Sequence, residues 1–296
     1  MEFTENPLAR TLPPEEKGVV EVVEEGVGEV EEVEEAVDRT GWWGGRERLE
    51  ERVFKGHTGE VFGLAISPDG EKVVSGGDGK ALIVNSMRNG KELFRVDDAH
   101  PECILKVACI PNSAGFVSCS DGKSANLKVW DKFLELVQTL EGHDGHVLCV
   151  TVSPSGSHFA SGSGDKKVMI WSELGEGGEW ARVQVLKDHT HIICAVCFSP
   201  DGKQLATGSF DKSIKAYSFN DGSAILAHTL EGHTGWVKSL SFSPDCKLIC
   251  SGSYDKSIKF WNPADGSLVK SIDQAHTSYS VNPSISSHTP PTGVFL

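Results

Sequence analysis

The stretch HTGWVKSLSFSPDCKLICSGSYDKSIKFW, residues 233–261, decides the fold. Val237 to Phe242 alternates apolar and polar side chains, as a strand with one face against a neighbouring sheet does. Ser243-Pro244-Asp245-Cys246 is turn chemistry, in which Pro presets φ and Asp bonds back to its own backbone. Leu248 to Ser253 reads as a second strand, Tyr254-Asp255-Lys256 as a second turn, and Ser257 to Trp261 as a third strand. Gly266 to Ile272 supplies a fourth, leading into Ala275-His276, where the text begins again. Openings at His57, His100, His143, His189, His233 and His276 repeat at a period of 43 to 46 residues. An Asp follows 21 or 22 residues after each of the first five: Asp78, Asp121, Asp165, Asp211 and Asp255. Several short strands per unit at this period predict the blades of an all-β propeller rather than a helical repeat.

Composition agrees. Of 296 residues 39% are hydrophobic, enough for a sizeable core, and 32 glycines with 13 prolines suit many tight turns. The net charge of −14 is unevenly placed: residues 1–50 hold 15 of the 42 acids and 5 of the 28 bases. The body is therefore nearly balanced and the acidity belongs to the leader. Eight scattered cysteines in a long chain read as buried free thiols of a reducing compartment, not as a disulfide scaffold. The first residues lack a basic start and an apolar stretch, and no apolar run approaches the ~18 residues of a membrane helix. A cytoplasmic or nuclear protein that does not bind membranes is expected.

The five units resemble the WD-repeat family. That resemblance implies a buried tetrad per blade, in which the Asp carboxylate accepts from the His ring and backbone amides. A second-strand Ser or Thr then links the His to a third-strand Trp. By position, unit three supplies His143, Ser161, Asp165 and Trp171, and unit five His233, Ser251, Asp255 and Trp261. Unit two supplies His100, Ser118, Asp121 and Trp130, with Ser124-Ala125-Asn126 as extra residues between Asp and Trp. Unit four supplies His189, Thr207 and Asp211 with Tyr217 in the Trp place. Unit one supplies His57, Ser75 and Asp78, with Val84 leaving no donor. A His-Ser-Asp set invites a hydrolase reading, but a nucleophile needs one exposed site and this set recurs in every blade. The tetrads are read as structural, with no catalytic residue and no cofactor.

Family rings usually close with more blades than five. The sixth unit fails after His276 and dissolves into Ser-, Thr- and Pro-rich sequence. The expected organisation is an acidic, mostly disordered leader over 1–50, the propeller over 51–276, and a disordered tail over 277–296. Leu49 to Lys55 looks like the fourth strand of a last blade whose partners are missing, so an open or truncated ring is favoured over five-fold closure. An unclosed edge could self-associate. In the leader, valines three or four apart over 19–37 suit an amphipathic helix, while the acidic low-complexity composition and Gly26 and Gly28 favour disorder.

In such blades the loop before strand one and the turn between strands two and three emerge on one face. The third residue after each His reads Glu60, Cys103, His146, Ile192 and Trp236; the residue before each Asp reads Gly77, Ser120, Gly164, Phe210 and Tyr254. Ile192, Phe210, Trp236 and Tyr254 concentrate on two neighbouring blades, and clustered aromatics are common interface anchors. Lys80, Lys123, Lys166, Lys212 and Lys256 follow the Asp in each unit, which would suit an acidic partner or the chain's own leader. The resemblance implies a non-enzymatic scaffold or adaptor that binds peptides or proteins on this top face, with Glu60, His146, Ile192, Phe210, Trp236 and Tyr254 as contacts. A propeller-fold hydrolase or metal-dependent enzyme is the alternative. It is disfavoured because His143 and His189 belong to tetrads and Cys194-x-x-Cys197 has no second cysteine pair. A pI near 5.2 without a basic stripe argues against nucleic acid.

Overall fold

A computed structural model describes residues 19–22, 51–111, 114–122, 127–175 and 178–275, with the backbone alone at 19–22 and 51–52. Strands β1 (Val19–Val22) and β2 (Glu51–Phe54) pair in parallel. Residues 19–22 of the leader are thus extended where a helix was one of two expectations. The rest of residues 1–50 and the tail from His276 lie outside the described residues, as does the expected break in the sixth unit.

Five four-stranded antiparallel sheets follow, each a meander in chain order. The first is β3 (Val61–Ile66), β4 (Lys72–Gly77), β5 (Leu82–Ser86) and β6 (Glu92–Val96). The second is β7 (Ile104–Ile110), β8 (Gly115–Ser120), β9 (Leu127–Asp131) and β10 (Leu136–Leu140). The third is β11 (Val147–Val152), β12 (His158–Ser163), β13 (Val168–Leu174) and β14 (Glu179–Leu186). The fourth is β15 (Ile193–Phe198), β16 (Gln204–Ser209), β17 (Ile214–Asn220) and β18 (Ser223–Leu230). The fifth is β19 (Val237–Phe242), β20 (Ile249–Ser253), β21 (Ile258–Trp261) and β22 (Leu268–Ile272).

First strands lie side by side: β3 packs on β7, β7 on β11, β11 on β15 and β15 on β19. No packing of that extent joins β19 back to β3 among the described residues. Each gap between sheets is an apolar core. Val74, Leu82 and Val84 of the first sheet meet Ile104, Val107, Phe116 and Trp130 of the second. The next gaps are filled by Val117 and Leu127 against Phe159 and Trp171, then Ile170 against Leu205 and Tyr217, then Ile214 against Ile249 and Trp261. Burying one such large side chain is worth about 1.5–3 kcal/mol. The Gly of Ser161-Gly162-Ser163 reflects how close the sheets come. A Cβ at Gly162 would lie 2.7 Å from Ile193 Cγ2 in the next sheet.

Clasps at one register position of the outer strands join the sheets a second time. The Gln138 amide exchanges two hydrogen bonds with the Trp180 backbone (3.0 and 2.7 Å), and Gln184 does the same with Ala224 (2.9 and 2.7 Å). His228 reaches Ala264 O at 3.1 Å, and Phe94 meets Phe133 edge to face at 5.8 Å. Beside each clasp the strand is bulged, so these edges are poor templates for a further strand.

Candidate functional site

The tetrads close fully in two sheets. His143 Nδ1 lies 3.0 Å from Asp165 Oδ2, its Nε2 lies 2.8 Å from Ser161 Oγ, and Trp171 Nε1 donates to that oxygen at 2.9 Å. His233, Asp255, Ser251 and Trp261 repeat this at 2.8, 2.7 and 2.8 Å. Donor and acceptor chemistry gives these sets one wiring. The indole donates to the hydroxyl oxygen, the hydroxyl proton goes to Nε2, and the Nδ1 proton goes to the carboxylate. Backbone amides of Asp144 and Lys167 add to Asp165 at 3.0 and 2.9 Å. Burial would raise the Asp165 pKa, but the bonds from His143 and the two amides outweigh it and bring it down to about 2. Ser161 and Ser251 are 0% exposed, so neither hydroxyl can meet an outside substrate.

In the fourth sheet His189 reaches Asp211 and Thr207, each at 2.8 Å, and the Tyr217 phenol interacts with Thr207, but its proton does not go there. It donates instead to Asp188 Oδ2 at 3.1 Å. Asp188 stands where units one, three and five have Gly and unit two has Ala before the His. The Asp188 carboxylate takes the phenol's proton.

The first two sheets depart from the expected tetrads. His57 and His100 bond Ser75 and Ser118 at 2.7 and 2.6 Å, and Trp130 joins Ser118 at 2.7 Å. Neither Asp78 nor Asp121 reaches its histidine, and the buried Nδ1 atoms of His57 and His100 have no partner. Counting from the second-strand hydroxyl explains it. Asp78 is the third residue after Ser75 and Asp121 the third after Ser118, whereas Asp165, Asp211 and Asp255 are each the fourth after Ser161, Thr207 and Ser251. The missing residue moves each Asp one place back along the turn, and Gly79 and Gly122 take the tetrad position. The same shift corrects the third strand. Asn85 pairs with Val73 as Trp171 pairs with Phe159, so buried Asn85, not Val84, holds the Trp place. Without the carboxylate, burial dominates: it lowers the His57 pKa and, helped by Lys128, brings His100 down to about 3.

The displaced acids surface on the face where contacts were expected. Asp78 N bonds Glu60 O and Asp121 N bonds Cys103 O, the bonds made elsewhere by Gly164 to His146, Phe210 to Ile192 and Tyr254 to Trp236. These five bonds mark one end of all five sheets. Asp78 and Asp121, both exposed, therefore take the rim places expected for Gly77 and Ser120, which are buried. Each rim side chain leans on the next sheet. The Cys103 thiol donates to Asp78 at 2.8 Å, and His146 Nδ1 lies 3.0 Å from Asp121 Oδ1. Phe210 stacks on Trp236 at 4.1 Å and 5°. Tyr254 lies tilted by 41° against Trp236 at 5.0 Å, and His191 flanks Phe210 at 5.8 Å. Trp236 and Tyr254 stay 40% and 39% exposed. Ile192, half-buried, is not part of the stack, and Glu60 is exposed.

Sequence reading found the aromatic half but missed the acidic one, which the Asp-Gly-Lys in place of Asp-Lys could have signalled. Of the lysine set, Lys80 is bound to Pro101 O at 2.6 Å, and Lys123 lies outside the described residues. The Cys103 thiol is kept protonated, chiefly by its bond to Asp78. No group of three or more His, Cys, Asp or Glu among the described residues is arranged to hold a metal ion.

Side-by-side four-stranded sheets, pinned inside by His, Ser or Thr and in three sheets by Asp, define a protein built of propeller-type repeats. The WD domain, G-beta repeat family matches residues 49–85, 134–172, 180–218 and 225–262, just over half of the chain, and the chain belongs to it. Each matched segment runs from an outer strand through the first three strands of the following sheet, so β2 stands in the outer-strand place before the first sheet. The unmatched unit is the second, which has both the displaced Asp and the inserted residues. Repeats of this family generally mediate protein–protein interaction. Comparison with curated proteins gives no match.

Proposed function

We propose that the chain is a non-enzymatic interaction scaffold that seats a peptide or protein partner on the end of the sheets carrying Phe210, Trp236 and Tyr254. One observation carries this reading: Phe210 stacks on Trp236 and Tyr254 tilts against it, yet Trp236 and Tyr254 stay exposed where burial in a core would have been more favourable. Such rigid aromatic surface costs little entropy on binding and supplies interface anchors. Ile192 beside it, and Glu60 and His146 further along, extend the contact region. Free thiols at all eight cysteines, five of them pushed up to about 12 by burial, suit work in a reducing compartment.

The test is affinity capture from cells with wild type and Trp236→Ala as baits, their folds matched by thermal melting. A set of captured proteins lost with Trp236→Ala supports the reading. An unchanged set places the binding surface elsewhere.

A further inference from the structure

We propose that this face reads a peptide of mixed character, with a basic side chain at one end and an aromatic or large aliphatic one at the other. The inference rests on the docking reading above and adds the partner's chemistry. Along the rim the sequence of surfaces is Asp78, Asp121, Gly164, Phe210 and Tyr254, fixed by the five equivalent backbone bonds. The first half is acidic and exposed, with Glu60 beside Asp78. Among the described residues neither Glu60 nor Asp78 has an ion-pair partner; nearby Lys80 keeps its charge but points it at Pro101 O and towards Glu102, 3.9 Å away, so the acids outnumber it. Among the described residues Asp121 is paired with the half-buried His146. The second half is apolar, and Lys238 sits over it, 5.3 Å from the Phe210 ring centre.

Charge therefore sorts an incoming chain. A lysine or arginine is drawn to the carboxylates on the Asp78 side, while Lys238 already supplies a cation to the aromatic end, where an apolar ring adds contact without adding like charge. Gly164 between the halves adds no side chain, so an extended segment can cross from one to the other. The expectation of an acidic partner rested on the lysine set; the displaced carboxylates reverse it.

Fluorescein-labelled synthetic peptides test this by anisotropy with the full chain. One carries Arg-Lys and Trp-Leu across a Gly-Ser spacer, a second replaces Arg-Lys by Glu-Asp, and a third replaces Trp-Leu by Ala-Ala. The proposal expects the first to bind tightest. Asp78→Asn with Asp121→Asn should weaken that peptide by about three- to ten-fold and leave the Glu-Asp peptide unchanged or tighter. The gap should narrow as salt is raised. Equal or tighter binding of the Glu-Asp peptide, or no effect of the double variant, overturns the charge assignment even if Trp236→Ala abolishes binding. Binding that survives Trp236→Ala in every peptide overturns the docking reading itself, and no binding by any peptide overturns both.

Discussion

Asp211→Ala and Asp78→Ala change residues that occupy the same motif position by sequence, yet their effects should differ several-fold. The Asp211 carboxylate accepts from His189 Nδ1 at 2.8 Å, Thr190 N at 2.9 Å, Ser213 N at 3.0 Å and Ser213 Oγ at 2.6 Å. Hydrogen bonds to a charged group contribute about 1.5–3 kcal/mol each, but four on one carboxylate are not additive. Removing a buried, hydrogen-bonded charge from such a network costs about 3–5 kcal/mol. At the 2–4 °C per kcal/mol of a domain this size, Asp211→Ala should melt about 10 °C lower than wild type. Asp78 is exposed and gives up one thiol contact, so Asp78→Ala should cost about 0.5 kcal/mol or less. Differential scanning calorimetry of the two variants in one buffer decides. Similar losses in both would show that Asp78 pins its sheet after all, and the one-residue displacement would be wrong.

The other predictions concern packing and pH. Gly162→Ala should cost about 1–3 kcal/mol by forcing its Cβ against Ile193 and Cys149, while Gly164→Ala, whose Cβ meets nothing nearer than 3.8 Å, should be near neutral. Equal urea midpoints for the two would contradict the close approach of the third and fourth sheets. On acidification His100, held down to about 3, stays neutral in the fold while the unfolded chain takes up a proton below about 6.5. His100 alone should therefore subtract about 1.4 kcal/mol of stability per pH unit from 6.5 towards 3, and His100→Gln should make that limb shallower by this amount. The Asp165 contribution, about 2 kcal/mol from a pKa of about 2 against 3.8, is complete above pH 4 and lost as pH falls through 2. Asp165→Asn should leave the slope between pH 6.5 and 5 unchanged.

Much of this was legible before any coordinates, because period and turn chemistry are local. The unit 233–261 spells its own strands, and every sheet sits where its His opening predicts. What escaped was register. Counting from His to Asp treats Asp78 and Asp121 as anchors, and a difference of one residue, 21 against 22, looks like loop variation. Counting from the buried Ser exposes it, since a strand fixes the Ser but a turn does not fix the Asp. Asn85 was overlooked for the same reason. The Tyr217–Asp188 pair needed two departures from the repeat to be read together: a Gly lost before the His and a Trp lost from the third strand. The inter-sheet clasps at Gln138 and Gln184 carry no motif at all, because the backbone groups they reach are set by tertiary placement.

The most direct test is long-range proton–nitrogen NMR of the imidazoles, assigned by single His substitutions. Slowly exchanging Nδ1 protons at low field, the mark of a buried N–H on a carboxylate, should appear for His143, His189 and His233 and not for His57 or His100. Such signals from His57 and His100 as well would return Asp78 and Asp121 to the interior and leave the rim without its acidic half.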